Sequence, residues 1–174
     1  FAFAASASMD EIVVAKRGPH HRLWQRVEAE TNYILNEVVF RTNVAYVEME
    51  TGMHFVDAKG EWAESKAEIE LLDDGAAATN LAFKVYFAAN LNATGKQGAV
   101  ILVTPDSKEL RSRILGLSFF DGNTGKAVLI AETTDSIGLL VGTDRVWYTN
   151  AFDDVDATVE YVVTKAGLSQ NIIL

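Results

Sequence analysis

Arg111-Ser-Arg-Ile-Leu-Gly-Leu-Ser-Phe-Phe-Asp-Gly-Asn-Thr-Gly-Lys-Ala-Val-Leu-Ile-Ala-Glu132 is the stretch that decides the fold. Two apolar runs, 114–120 and 127–131, flank Asp121-Gly122-Asn123-Thr124-Gly125. Glycine reaches positive φ without steric cost, and Asp and Asn favour turns, so the segment reads as a β-hairpin with a short loop. Leu115, Leu117 and Phe119 point to one face, Ile114 and Phe120 to the other, and neither face is polar. A strand pair of that kind is covered on both sides, so the pattern predicts a hairpin in the middle of the molecule.

Outward from this hairpin the chain keeps a period of two. Ala67, Ile69 and Leu71 alternate with Glu68 and Glu70, which predicts a half-buried strand ended by Asp73-Asp74-Gly75. Leu81, Phe83, Val85 and Phe87 form an apolar face opposite Lys84 and Tyr86, and 99–103 is a compact buried strand stopped by Pro105. Ala157, Val159, Tyr161 and Val163 alternate with Thr158, Glu160 and Thr164, and Lys165-Ala166-Gly167 turns the chain into 168–174. On the N-terminal side, strands are predicted over 11–16, 20–30, 37–41 and 45–50, with Thr42-Asn43 as a break between the last two. Segments 53–56 and 61–65 flank the turn Asp57-Ala58-Lys59-Gly60. About a dozen short strands with no helix between them predict an all-β fold, a two-sheet antiparallel sandwich of jelly-roll-like or Ig-like kind. No linker-like stretch divides the chain, so residues 1–10 read as an N-terminal arm and 11–174 as one domain.

Composition narrows the function classes. At 174 residues with 49% hydrophobic and 22% charged residues, the chain has enough apolar mass for a full core. A net charge of −9 argues against a nucleic-acid partner, which needs clustered Lys and Arg. The absence of cysteine removes disulfides, thiol catalysis and cysteine-ligated zinc together. No apolar run approaches the ~20 residues of a membrane-spanning helix. The opening Phe-Ala-Phe-Ala-Ser-rich segment resembles the small-residue region of a secretory leader, which points to export to the cell surface or beyond.

Three groups of residues resemble a known family. They are Gly-Pro-His-His-Arg-Leu-Trp at 18–24, Phe-Ala-Ala-Asn-Leu-Asn at 87–92, and Leu-Arg-Ser-Arg-Ile-Leu-Gly-Leu-Ser-Phe-Phe-Asp at 110–121. With 126–132, Asp-Ser-Ile-Gly at 135–138 and 164–174, they resemble the N-terminal β-rich module of large exported bacterial proteins, some of which carry RHS-type repeats. The resemblance spans the chain from about Gly18 onward. It implies export and a β-rich module, and it implies no active-site residue.

No catalytic constellation is visible, and no cofactor fingerprint. His20 and His21 are adjacent, and adjacent strand residues face opposite sides, so they do not chelate one metal together; nothing in the sequence places His54 near them. Asp153, Asp154 and Asp156 beside Asp144, and Asp121 with Asn123, offer the hard oxygens calcium prefers, yet neither stretch matches a calcium loop, and turn Asp and Asn usually serve the backbone. No residue is therefore assigned to catalysis or to metal. Among Trp24, Trp62 and Trp147, Trp62 lies between two glutamates on a hairpin arm and is the ring predicted to be exposed, a candidate for stacking on a glycan. Phe1 and Phe3 alternate with Ala2 and Ala4, as in a strand with one apolar face. They are the candidate subunit contacts: an arm that adds to the exposed edge of a neighbour joins copies by main-chain hydrogen bonds and, repeated head to tail, builds a filament. The expectation is a structural, self-assembling extracellular protein without catalysis, with a carbohydrate- or surface-binding module as the alternative.

Overall fold

The computed structural model describes residues 12–32, 37–92 and 98–174. Sixteen strands and no helix occur among them. The all-β class therefore holds, but five separate small sheets stand where the strand spacing predicts two layers. The chain also divides into two compact units, residues 1–63 and 64–174, where the sequence predicts one domain over 11–174. The boundary falls inside a hairpin arm at Ala63-Glu64, so no shift in composition marks it.

The first unit is built on a three-stranded antiparallel sheet of β1 (Ile12–Gly18), β2 (His21–Asn32) and β3 (Glu37–Met49), in that order. β3 runs unbroken through Thr42-Asn43, where two strands were expected. Those two residues pair with Glu28 and Val27 of β2, and a cross-strand partner outweighs weak strand propensity. Gly18 closes the β1–β2 corner because a Cβ there would lie 2.3 Å from Cε1 of the His21 ring. A small second sheet pairs β4 (His54–Val56) with β5 (Trp62–Glu64). Its turn is held by Asp57, whose Oδ1 accepts the backbone N–H groups of Lys59 at 2.8 Å and Glu61 at 2.9 Å.

The second unit contains three sheets. β6 (Glu70–Leu72), β7 (Gly75–Ala78), β8 (Lys84–Ala88), β9 (Val100–Val103) and β10 (Glu109–Ser112) form five strands in the order β10-β9-β8-β7-β6. β11 (Gly116–Asp121) and β12 (Lys126–Glu132) pair only with each other. β13 (Gly138–Val141), β14 (Arg145–Tyr148), β15 (Thr158–Thr164) and β16 (Gly167–Ile173) form a four-stranded meander.

Alternation fixes which side chains go inward. On the five-stranded sheet Ala76 lies opposite Phe87 and Phe87 opposite Val100; Ala78 lies opposite Val85 and Val85 opposite Leu102. On the meander Val146, Tyr148, Val159, Tyr161 and Val163 are buried. Both sets belong to one continuous apolar cluster. The Phe87 and Tyr161 rings sit 5.7 Å apart, and Tyr148 meets Tyr161 edge-on at 6.1 Å. The alanines of β7 leave room for these rings, as large side chains packed against small ones require. Tyr148 also donates its hydroxyl to the Ala88 carbonyl at 2.6 Å, tying the meander to β8.

Two expectations fail in this unit. Of Ala67, Ile69 and Leu71, only Ile69 is buried, and Leu71 is 71% exposed, because the strand shortens to three residues at the sheet edge. The larger failure is the 111–132 hairpin. Its turn forms as predicted, but Phe119 is 63% and Phe120 65% exposed, with Leu115, Val128, Leu129 and Ile130 open as well. Among the described residues no third strand pairs with either arm, and apolar residues of both parities meet solvent.

Candidate functional site

The exposed hairpin is the surface that most needs a functional explanation. Its loop is rigidly specified. Asp121 accepts the Asn123 N–H at 2.9 Å on Oδ1 and the Thr124 hydroxyl at 2.6 Å on Oδ2, while its carbonyl accepts the Gly125 N–H at 2.8 Å. The hydroxyl of Thr124 and the backbone N–H of Asn123 together hold the Asp121 carboxyl below its ordinary range. Gly125 takes a φ of +67°, the left-handed conformation that L side chains avoid. Phe119 lies opposite Val128 and Phe120 opposite Ala127. Near the base the register slips, leaving Ile130 without a cross-strand partner. The base itself is anchored. Ala131 is buried, Thr133 Oγ1 donates to the Ile114 carbonyl at 3.0 Å, and Glu132 and Asp153 exchange two bonds, at 2.8 and 3.1 Å. A fixed stem thus carries a bare apolar end.

A cavity of about 150 Å³ opens elsewhere on the same unit, where β6, β7 and β8 meet β13 and β14. Leu71, Leu72, Phe87, Leu140, Val146 and Tyr148 make its walls apolar, and Asp73 is the one charged residue in its lining. The exposed Leu71 forms its lip. Two glycines keep it open: a Cβ on Gly75 would fall 2.1 Å from the Phe87 carbonyl oxygen, and one on Gly138 would lie 3.0 Å from the Tyr148 ring.

The outer face of the meander carries the densest polar group. Leu139, Trp147, Glu160 and Asn171 share one cross-strand row. Glu160, only 8% exposed, accepts the Trp147 indole N–H at 2.9 Å and Arg145 at 3.3 Å on Oε1, and Asn171 at 2.8 Å on Oε2. The Trp147 bond, then Asn171 and Arg145, hold this carboxyl below its ordinary value. Both oxygens are occupied, so Glu160 is a staple across three strands and a poor proton acceptor. Burial pushes the Tyr161 phenol up to about 12 and the Tyr148 phenol higher still, so both stay protonated at neutral pH. The buried Tyr161 hydroxyl has no hydrogen-bond partner among the described residues.

In the first unit the structure corrects the isolation of His54. Fully buried at 1% exposure, it sits against the Gly18-Pro19 corner, with Nδ1 3.0 Å from the Gly18 carbonyl and its backbone N–H on the Pro19 carbonyl. A carbonyl only accepts, so Nδ1 carries the proton and Nε2 faces Arg22 at 3.4 Å. His20 accepts the Gly52 N–H at 3.0 Å on Nδ1. These histidines lock a turn, and no group of three metal-ligating side chains occurs among the described residues. No signal of period or spacing in the sequence linked His54 to residues 36 positions away.

The remaining candidates disperse. Asp153 serves backbone N–H groups, and Asp144 pairs with Arg145 at 3.3 Å. Trp24 is tied to Glu48 at 2.9 Å beneath the Arg22 guanidinium. Trp62 is 41% exposed on β5. Phe1 and Phe3 lie outside the described residues, as do Ala93 and Thr94 of a glycosylation-type triplet begun by Asn92. No helix among the described residues is long and apolar enough to cross a membrane.

Comparison with family models, with curated proteins and with solved structures finds no match.

Proposed function

We propose that this protein is a structural subunit of an extracellular assembly, exported from a bacterium, whose copies join by strand addition through the N-terminal arm. The five-stranded sheet and the meander are read as the two layers of a sandwich, with edge strands β6, β10, β13 and β16 available to receive a strand. One observation carries the reading: apolar side chains crowd unpaired strand edges and the bare hairpin of the second unit, including Leu71, Leu110, Phe119, Phe120 and Leu139. Soluble proteins normally protect edges with charge, bulges or covering elements, and large exposed apolar patches mark interaction surfaces. In the arm, Phe1 and Phe3 would supply apolar anchors and the main chain would supply registry. No described group is arranged for acid–base or nucleophilic chemistry, so the role is proposed without catalysis.

Size-exclusion chromatography and negative-stain imaging of the chain with and without residues 1–9 test this directly. Loss of large particles on deletion supports the arm; unchanged particle size overturns it.

A second reading, a glycan- or surface-binding module, rests on the exposed Trp62 ring. Glycan-array binding that disappears in Trp62→Ala would favour it over assembly.

A further inference from the structure

We infer that two copies of this chain join by a knob-in-hole contact that is distinct from the N-terminal arm: Phe119 at the hairpin end of one copy enters the Leu71–Tyr148 cavity of the next. The inference shares with the proposed function only the premise that copies associate.

Size decides what the cavity can hold. Drug-sized ligands and sugars occupy clefts of about 300 Å³ or more. An apolar cavity of about 150 Å³ instead accommodates a single benzene ring. The cavity here has that volume, and its walls are Leu71, Leu72, Phe87, Leu140, Val146 and Tyr148. One phenyl side chain is therefore the matching occupant. The same unit displays two such rings, Phe119 and Phe120, on a hairpin fixed at its stem and bare at its end.

Charge chooses between the two rings and sets the orientation. Asp73 stands in the lining of the cavity and Asp74 follows it in sequence. On the hairpin, Phe119 pairs with Val128, and alternation puts the Asp121–Lys126 pair, two residues further on, on the same face, with Phe120 on the other. Asp121 is turned into its own loop by Asn123 and Thr124, so Lys126 is the charge the hairpin end presents. Seating Phe119 brings Lys126 toward Asp73. Knob and hole are different patches of one surface, so the contact is heterologous and repeats head to tail without closing on itself.

Complementary defects in the full chain provide the test. Phe119→Ala destroys the knob, and Ala88→Leu fills the hole from its lining without touching the hairpin. Each variant alone should lose this contact, so that association, compared at fixed chain length with and without residues 1–9, is at least about 30-fold weaker than without the substitution, as for loss of a buried aromatic anchor. Mixed one to one, they should recover a single contact, and without residues 1–9 stop at a dimer, because the knob of the Ala88→Leu chain fits the hole of the Phe119→Ala chain. Leu71→Glu, at an exposed lip position, repeats the hole defect should Ala88→Leu unfold. Asp73→Lys mixed with Lys126→Asp should associate where each alone does not. Variants that assemble like the unaltered chain, or a mixture that stays monomeric, overturn the contact. Deleting residues 1–9 leaves both knob and hole in place, so failure of the arm and failure of this contact read out separately.

Discussion

Two hairpins of similar composition meet opposite fates in this molecule. β15 and β16, joined at Lys165-Ala166, lay Val159, Tyr161 and Val163 inward and send Thr158 and Glu160 outward. β11 and β12 are as apolar, yet they expose Phe119, Phe120, Val128, Leu129 and Ile130. The difference lies in neighbours. β15 has β14 on its free side and faces the ring of Phe87 from the other sheet, whereas no strand among the described residues flanks β11–β12. Apolar sequence creates a demand for cover; only topology within the chain, or a partner outside it, supplies that cover.

The comparison breaks most decisively at its two phenylalanines. Phe87→Ala empties the centre of the shared core and should cost about 3–5 kcal/mol in urea unfolding. Phe120→Ala, by contrast, should leave the stability of the isolated monomer within about 0.5 kcal/mol. Equal losses would mean that the hairpin is covered within its own chain.

A smaller effect sharpens the buried side. Tyr148→Phe leaves the Ala88 carbonyl without its hydroxyl donor and should cost about 1–2 kcal/mol, measured by the same unfolding curves. Tyr161→Phe removes a buried hydroxyl that has no hydrogen-bond partner among the described residues, so it should be neutral or slightly stabilising.

The smallest is a dependence on pH. The Glu160 carboxyl is held below its ordinary value of 4.5, so its contribution is complete above that pH and fades as pH falls through the lower folded value. Urea midpoints should therefore drop below pH 4.5, and Glu160→Gln should flatten that drop. An unchanged profile in the variant would remove Glu160 from the account. Asp121 shifts in the same direction on the bare hairpin, through its own loop, and persists in the variant as a background.

Much of the strand content was legible because period two is a local signal. The inward row of Val85 and Phe87 and that of Val159, Tyr161 and Val163 follow directly from alternation with Lys84, Tyr86, Glu160 and Thr164. β7 escaped notice because Gly75-Ala-Ala-Ala has no contrast between its faces, and its strand character comes from lying between β6 and β8. The hairpin turn was legible from Asp121 to Gly125, but its exposure was not, since coverage depends on which distant strands align beside it. The same holds for the candidate site. Phe119 and Phe120 were visible as apolar, the cavity was invisible, and its walls come from strands up to about 75 residues apart in sequence, from Leu71 to Tyr148.

The three backbone bonds at one corner of the second unit have a mechanical consequence. Ala89 donates to the Asp74 carbonyl and accepts from Gly138, and Leu91 donates to the Ser136 carbonyl, at 3.2, 2.8 and 2.8 Å. The last two rungs splice the end of β8 to the start of β13, and the first ties the same corner to the β6–β7 turn, so tension applied to one sheet passes to the other without loading the soft apolar seam between them. A chain pulled across these two sheets would yield first by peeling its outer strands, while this corner and the Tyr148 strap held until last.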